Sequence, residues 1–121
     1  MKEKNVWLFQ TQDSFMVITL TPDNFNTEVT QSEKPVIIDA YATWCGPCQQ
    51  MKPVFELLSS ELGNSYKFAE LNVDDMREQA IEYGVSSVPT FIFIKNGEIA
   101  GKERGYMDQD ELQNKIKEYL G

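Results

Sequence analysis

Trp44-Cys45-Gly46-Pro47-Cys48 follows a near-continuous apolar run, Pro35-Val36-Ile37-Ile38-Asp39-Ala40-Tyr41, and precedes a helical pattern that begins near Gly46. The apolar run has the signature of a strand covered on both faces. The segment between run and helix holds the only two cysteines in 121 residues. A thiol at a helix N-terminus meets the positive end of the macrodipole and free backbone N–H groups, which favour the thiolate, and the thiolate is the nucleophile. This placement predicts Cys45 outermost and Cys48 one turn further in and more enclosed. Cys45 is then expected to attack a partner's disulfide, and Cys48 to attack the mixed disulfide and release the reduced partner. Gly46 and Pro47 allow a tight turn into the helix, with Pro47 in the first turn, where its missing N–H costs nothing.

Two other uses of a C-x-x-C pair stand beside this one: an inert disulfide and half of a metal site. Two cysteines and no histidine fall short of the four ligands of a structural zinc site unless two chains share one ion.

The W-C-G-P-C run in its strand-to-helix setting resembles the active site of the thioredoxin family, and the resemblance extends over about residues 16 to 120. It implies an α/β protein with the thioredoxin fold, a central mixed sheet flanked by four helices. It also implies a redox-active Cys45–Cys48 disulfide, no bound cofactor or metal, and a monomer that reduces protein disulfides. The partners it implies are disulfide-containing clients and a flavin-containing, NADPH-dependent thioredoxin reductase. Asp39 matches the aspartate held to accept the proton of the resolving cysteine. On residue chemistry alone, Asp39 is either a buried polar group satisfied by backbone or a carboxyl whose pKa burial raises towards neutrality.

The segment Val85-Ser86-Ser87-Val88-Pro89-Thr90 matches the family's second active-site loop. The resemblance makes Pro89 cis and lays it against the cysteines, so that the Val88 backbone offers an edge for a client strand. Trp44, Gly46, Pro47, Val88, Pro89 and Gly105 are the expected client-binding residues. Two positions depart from the family pattern: Glu70 stands where thioredoxins commonly place a lysine beside the aspartate, and Tyr41 where many have tryptophan. Glu70 is expected either to raise the Asp39 pKa by like charge or to point to solvent.

The remaining chain supports one domain, residues 16–121, behind an extension of residues 1–15 whose Val6–Phe9 run reads as an added strand, an arm or a leader. Val17–Leu20 reads as a strand, and Thr21-Pro22-Asp23 as a capped helix start that turns Phe25 and Val29 to the core. Met51, Val54, Phe55, Leu58 and Leu62 form one helical stripe, interrupted by Pro53 and ended by a capping Gly63. Tyr66–Val73 reads as a strand, and Asp75 with Glu78 as a capping-box-like start for a short helix that carries Met76, Ala80 and Ile81 and ends at Gly84. Asn96-Gly97 marks a hairpin. Asp108–Leu120 is a closing helix with a Glu111–Lys115 pair.

With 11 basic and 19 acidic side chains the net charge is −8. Such a surface repels nucleic-acid phosphate and anionic lipid. The run after Lys2 and Lys4 is shorter than a signal-peptide core, which makes the cytoplasm the default address. Two rival functions remain. A disulfide oxidase or isomerase of the same fold usually carries histidine between its cysteines, unlike Gly46-Pro47, and a redox-regulated binding module would survive replacement of both cysteines.

Overall fold

The computed structural model describes residues 16–121, so the readings of residues 1–15 fall outside it. In chain order the elements are β1 (Val17–Thr19), α1 (Asn26–Thr30), β2 (Val36–Tyr41), α2 (Gly46–Leu62), β3 (Lys67–Asn72), α3 (Arg77–Glu82), β4 (Thr90–Lys95), β5 (Glu98–Arg104) and α4 (Gln109–Leu120). They build one five-stranded sheet of order β1-β3-β2-β4-β5. β1, β3 and β2 run parallel, whereas β4 is antiparallel to β2, and β5 to β4.

The central position of β2 explains its unbroken apolar character, because both its faces are covered. Val36, Ile38 and Ala40 pack into one core with Val29 of α1 and Ala80 of α3; Ile37 packs into the other with Phe55 of α2 and Ile116 of α4. In the second core the Phe55 ring meets Phe68 edge-on at 5.2 Å and Phe91 at 6.1 Å. Truncating so fully buried an aromatic costs about 3–5 kcal/mol. The two-residue period of a strand then puts Asp39 on the same face as Ile37, beneath α2.

Several local expectations give way to different solutions. The cap at Thr21 does form, its Oγ1 accepting the Asn24 N–H at 3.2 Å while Asn24 Oδ1 accepts the Thr21 N–H at 2.8 Å across Pro22; what differs is the helix that follows. α1 then winds as a π-helix, with Gln31 N–H reaching Asn26 O at 2.9 Å, and still buries Phe25 and Val29. No Asp75–Glu78 capping box forms. Asn72 Oδ1 takes the N–H groups of Asp74 and Asp75 at 2.9 and 3.3 Å, an Asx turn that moves the start of α3 to Arg77. Met76, just before that short helix, and Ala80 within it are buried, and Ile81 is 70% exposed.

Gly63 is right-handed (φ −65°); its small size matters instead, since a Cβ there would meet Ser59 O at 2.5 Å and the Met16 side chain at 2.7 Å. Glu111 is committed to a capping box with Asp108, and Lys115 pairs with Glu103 and Glu118 at 3.4 and 3.3 Å in its place. The hairpin stands as read: Asn96 (φ 54°) and Gly97 (φ 79°) are both left-handed, as a type I′ turn requires.

Candidate active site

β2 delivers the chain to the cysteines. Cys45 N–H bonds to Ala42 O at 3.3 Å, and Cys45 becomes the N-cap of α2 in an extended conformation (φ −91°, ψ 116°). Its sulfur thereby takes the place of a capping oxygen, accepting the Cys48 N–H at 3.2 Å. Pro47 occupies the first turn. The two sulfurs are joined in a disulfide with Cα atoms 5.3 Å apart.

Exposure does not separate the two cysteines as expected, each being 4% exposed. Their surroundings do. Cys45 Sγ lies 3.7 Å from Val88 O, on the side of the groove that Trp44 and Val88 line. Cys48 lines a cavity of about 340 Å³ together with Asp39, Tyr41, Gln49, Lys52 and Glu70.

Asp39 is the chemically loaded member of that cavity. It is 5% exposed, and its Oδ1 has no hydrogen-bond partner among the described residues. Backbone satisfaction, one of the two readings of the sequence, is therefore absent at that oxygen. Burial, with the Glu70 charge second, pushes its carboxyl up to about 7. A carboxyl titrating there exchanges protons with a thiol near neutral pH far more readily than an ordinary aspartate.

Glu70 resolves in favour of approach. It is the β3 register partner of Asp39 on one side and of Thr19 on the other, and Thr19 Oγ1 donates to its Oε1 at 3.1 Å. Tyr41 packs with Ala42, Cys45 and Cys48, beneath the site as an aromatic should.

The open side is built from three loops. The Val88–Pro89 peptide is cis, and Pro89 is buried while Val88 is half-buried. Pro89 O accepts the Gly105 N–H at 2.8 Å. Gly105 has φ +91°, and a Cβ on it would meet no atom within 4 Å. Trp44 is 71% exposed, its Nε1 donating to Asp74 Oδ2 at 3.1 Å, and it walls a groove of about 170 Å³ with Val73, Val85 and Val88. Gly46 and Pro47 are also exposed.

Asp74, Val73, Lys52 and Gln49 were not singled out from the sequence. Lys52 and Gln49 had a signal, since α2 places Cys48 and Lys52 one turn apart. The Trp44–Asp74 bond spans 30 residues and had none. Among the described residues no group of three or more histidine, cysteine, aspartate or glutamate side chains is placed to hold a metal ion.

Comparison with known proteins adds two findings. A family model described as Thioredoxin matches residues 16–118. The thioredoxin of Chlorobaculum thiosulfatiphilum is 38% identical over 101 residues, covering 84% of this chain and 94% of its own. That of Bacillus subtilis (strain 168) is 36% identical over 104 residues, covering 86% and 98%.

Proposed function

The chain belongs to the thioredoxin family and is a thiol–disulfide oxidoreductase, and on that premise we propose that it reduces disulfides in other proteins, with Cys45 attacking and Cys48 resolving. In the reduced form the Cys48 N–H aimed at Cys45 Sγ and the α2 dipole stabilise the Cys45 thiolate. A client strand pairing along the Val88 backbone brings its sulfur to Cys45, because Val88 O lies 3.7 Å from that sulfur. The thiolate forms a bond to one client sulfur, and the other leaves as a thiolate with the electron pair of the broken bond.

Resolution follows on the cavity side. The Cys48 thiol gives its proton to the Asp39 carboxylate, and its sulfur attacks that of Cys45. The Cys45–Cys48 bond forms as the client–Cys45 bond breaks, so the client gains two electrons and this chain loses them. Trp44, Gly46, Pro47, Val88, Pro89 and Gly105 form the client surface, a role supported by the exposure of Trp44 and the clear space before Gly105.

The working unit is residues 16–121 as a monomer, since one chain carries both thiols and the docking edge, and residues 1–15 take no part in the chemistry. An NADPH-dependent thioredoxin reductase regenerates the dithiol, and the Cys45–Cys48 disulfide itself carries the electrons, with no cofactor bound. Strained or catalytic protein disulfides are the clients, because stable structural ones lie below about −300 mV. The cytoplasm is the proposed site of action, a reducing compartment in which a dithiol is kept reduced; no helix among the described residues is long and apolar enough to cross a membrane.

The observation that carries this reading is the contrast around the disulfide: Cys45 capping α2 beside Val88, and Cys48 facing Asp39. The test is trapping. Cys48→Ser should accumulate a mixed disulfide through Cys45 when mixed with an oxidised client, and Cys45→Ser should form none. A trap formed through Cys48 would reverse the assignment.

A further inference from the structure

The cavity behind Cys48 holds a second carboxylate that the exchange reaction does not require. Glu70 is half-buried, lies in register with Asp39 across the β2–β3 pair and shares the cavity with Cys48. The strand period puts it on the α2 side of the sheet, where Phe68, two residues earlier, packs. The hydroxyl of Thr19, on β1, holds its Oε1 at 3.1 Å. Glu70 thus stands between two strands, its carboxylate bonded by Thr19 on one side and Asp39 its register neighbour on the other.

The other groups around Asp39 do little to oppose it. Lys52 of α2 is the one cation lining the cavity, but it is solvent-exposed and forms no ion pair with Asp39 or Glu70 among the described residues. Solvent screens such a charge. Tyr41 of β2, held above its ordinary range by burial, is neutral, Cys48 in the mixed disulfide is a thiol that carries charge only once it has given up its proton, and β4 presents Phe91 opposite Asp39.

We propose that Glu70 is a positioning residue for the resolution step: its carboxylate, fixed by Thr19, holds the proton on Asp39 and confines rapid release of mixed disulfides to neutral and alkaline solution. The inference rests on the reading of Asp39 as the proton acceptor of Cys48. The balance is simple. Cys48 gives up its proton only to an ionised Asp39, and Glu70 opposes that ionisation by like charge. Clients captured by Cys45 in acidic surroundings therefore stay bound longer, and the open form of the complex persists.

The test is the pH profile of the second, slower thiol release when the reduced protein is mixed with 5,5′-dithiobis(2-nitrobenzoate) in a stopped-flow instrument. Glu70→Gln should move the acid limb to lower pH, speeding resolution at pH 6 by about three- to tenfold. Glu70→Lys should move it further, and Glu70→Asp should keep the wild-type profile. Above the limb the gain should vanish or reverse, because a weaker base takes the proton less readily. Carbon-13 titration of the Asp39 carboxyl should shift in the same direction.

In an Asp39→Asn background the Glu70→Gln change should leave the profile unmoved. If Asp39→Asn slows resolution but Glu70→Gln slows it uniformly or leaves the limb in place, Glu70 is a structural residue and the proposal falls alone. If Asp39→Asn leaves resolution unchanged, the proton-acceptor reading falls, and this proposal with it.

Discussion

The two sides of the disulfide are built on opposite principles. On the Cys45 side the chain presents an exposed Trp44, a bare Gly105 and the Val88 carbonyl, the surface proposed to meet clients. On the Cys48 side it encloses two carboxyl groups against the sheet, where burial and like charge set the chemistry. The proposed roles of binding and proton handling are thereby separated by the width of one disulfide, so each should be damaged without the other.

Removing a thiol is the harshest break of that separation. Cys45→Ser should lose all disulfide reduction, whereas Cys48→Ser should bind clients and stop at the mixed disulfide; equal behaviour of the two variants in a trapping assay would abolish the distinction. Next in size is Asp39→Asn, which should leave Cys45 attack intact and slow the release of the mixed disulfide by about a hundredfold, the usual worth of a positioned proton acceptor. An unchanged release rate would remove Asp39 from the mechanism.

The same residue predicts a pH signature in stability. The folded carboxyl titrates near 7 against an ordinary 3.8, so the folded state keeps a proton the unfolded chain has shed. That contribution is full below about pH 4 and disappears as pH rises through 7. Relative to Asp39→Asn, the wild type should lose up to about 4 kcal/mol between pH 4 and pH 8, one pKa unit being worth about 1.4 kcal/mol. Urea unfolding of both proteins at several pH values measures it, and parallel curves would refute the buried-charge account.

The Cys45 side should answer in the other parameter. Gly105→Val puts a side chain into the open space beside Pro89 at a φ of +91°, and should raise the client KM about tenfold, from strain and obstruction together, while single-turnover resolution stays unchanged. The smallest effect is expected from Asp74→Ala, which frees the Trp44 ring from its bond. One hydrogen bond of about 1 kcal/mol corresponds to a few-fold loss in kcat/KM.

Legibility followed the same divide. Most residues of the Cys45 side were legible through the two short motifs that carry the family resemblance, W-C-G-P-C and V-P-T, and Gly105 through the resemblance alone, whereas Asp74 gave no signal. The central strand was equally plain, since Val36–Tyr41 must be apolar on both faces. Asp39 could be located within that strand, but whether its oxygens found partners depends on what lies across the sheet. Glu70 was undecidable for the same reason: a parallel register puts it beside Asp39, and register joins residues distant in sequence.

The misread caps share a cause. The acids at Asp75 and Glu78 fit a capping box, yet Asn72 competes for the same N–H groups from the end of β3. At Glu111 the competition ran the other way, with Asp108 capturing a side chain expected to pair with Lys115. Local donors and acceptors satisfy the nearest partner, and which partner is nearest is settled by the turn.

The central claim, that this dithiol gives electrons to client proteins, is tested most directly by the reduction potential of the Cys45–Cys48 pair at equilibrium with a dithiothreitol buffer. The account predicts a value near the −270 mV established for thioredoxins, at roughly which a dithiol reduces strained protein disulfides. A value above about −200 mV would mean that the reduced form is unusually stabilised, and would contradict the reductant role in favour of an oxidising or isomerising one.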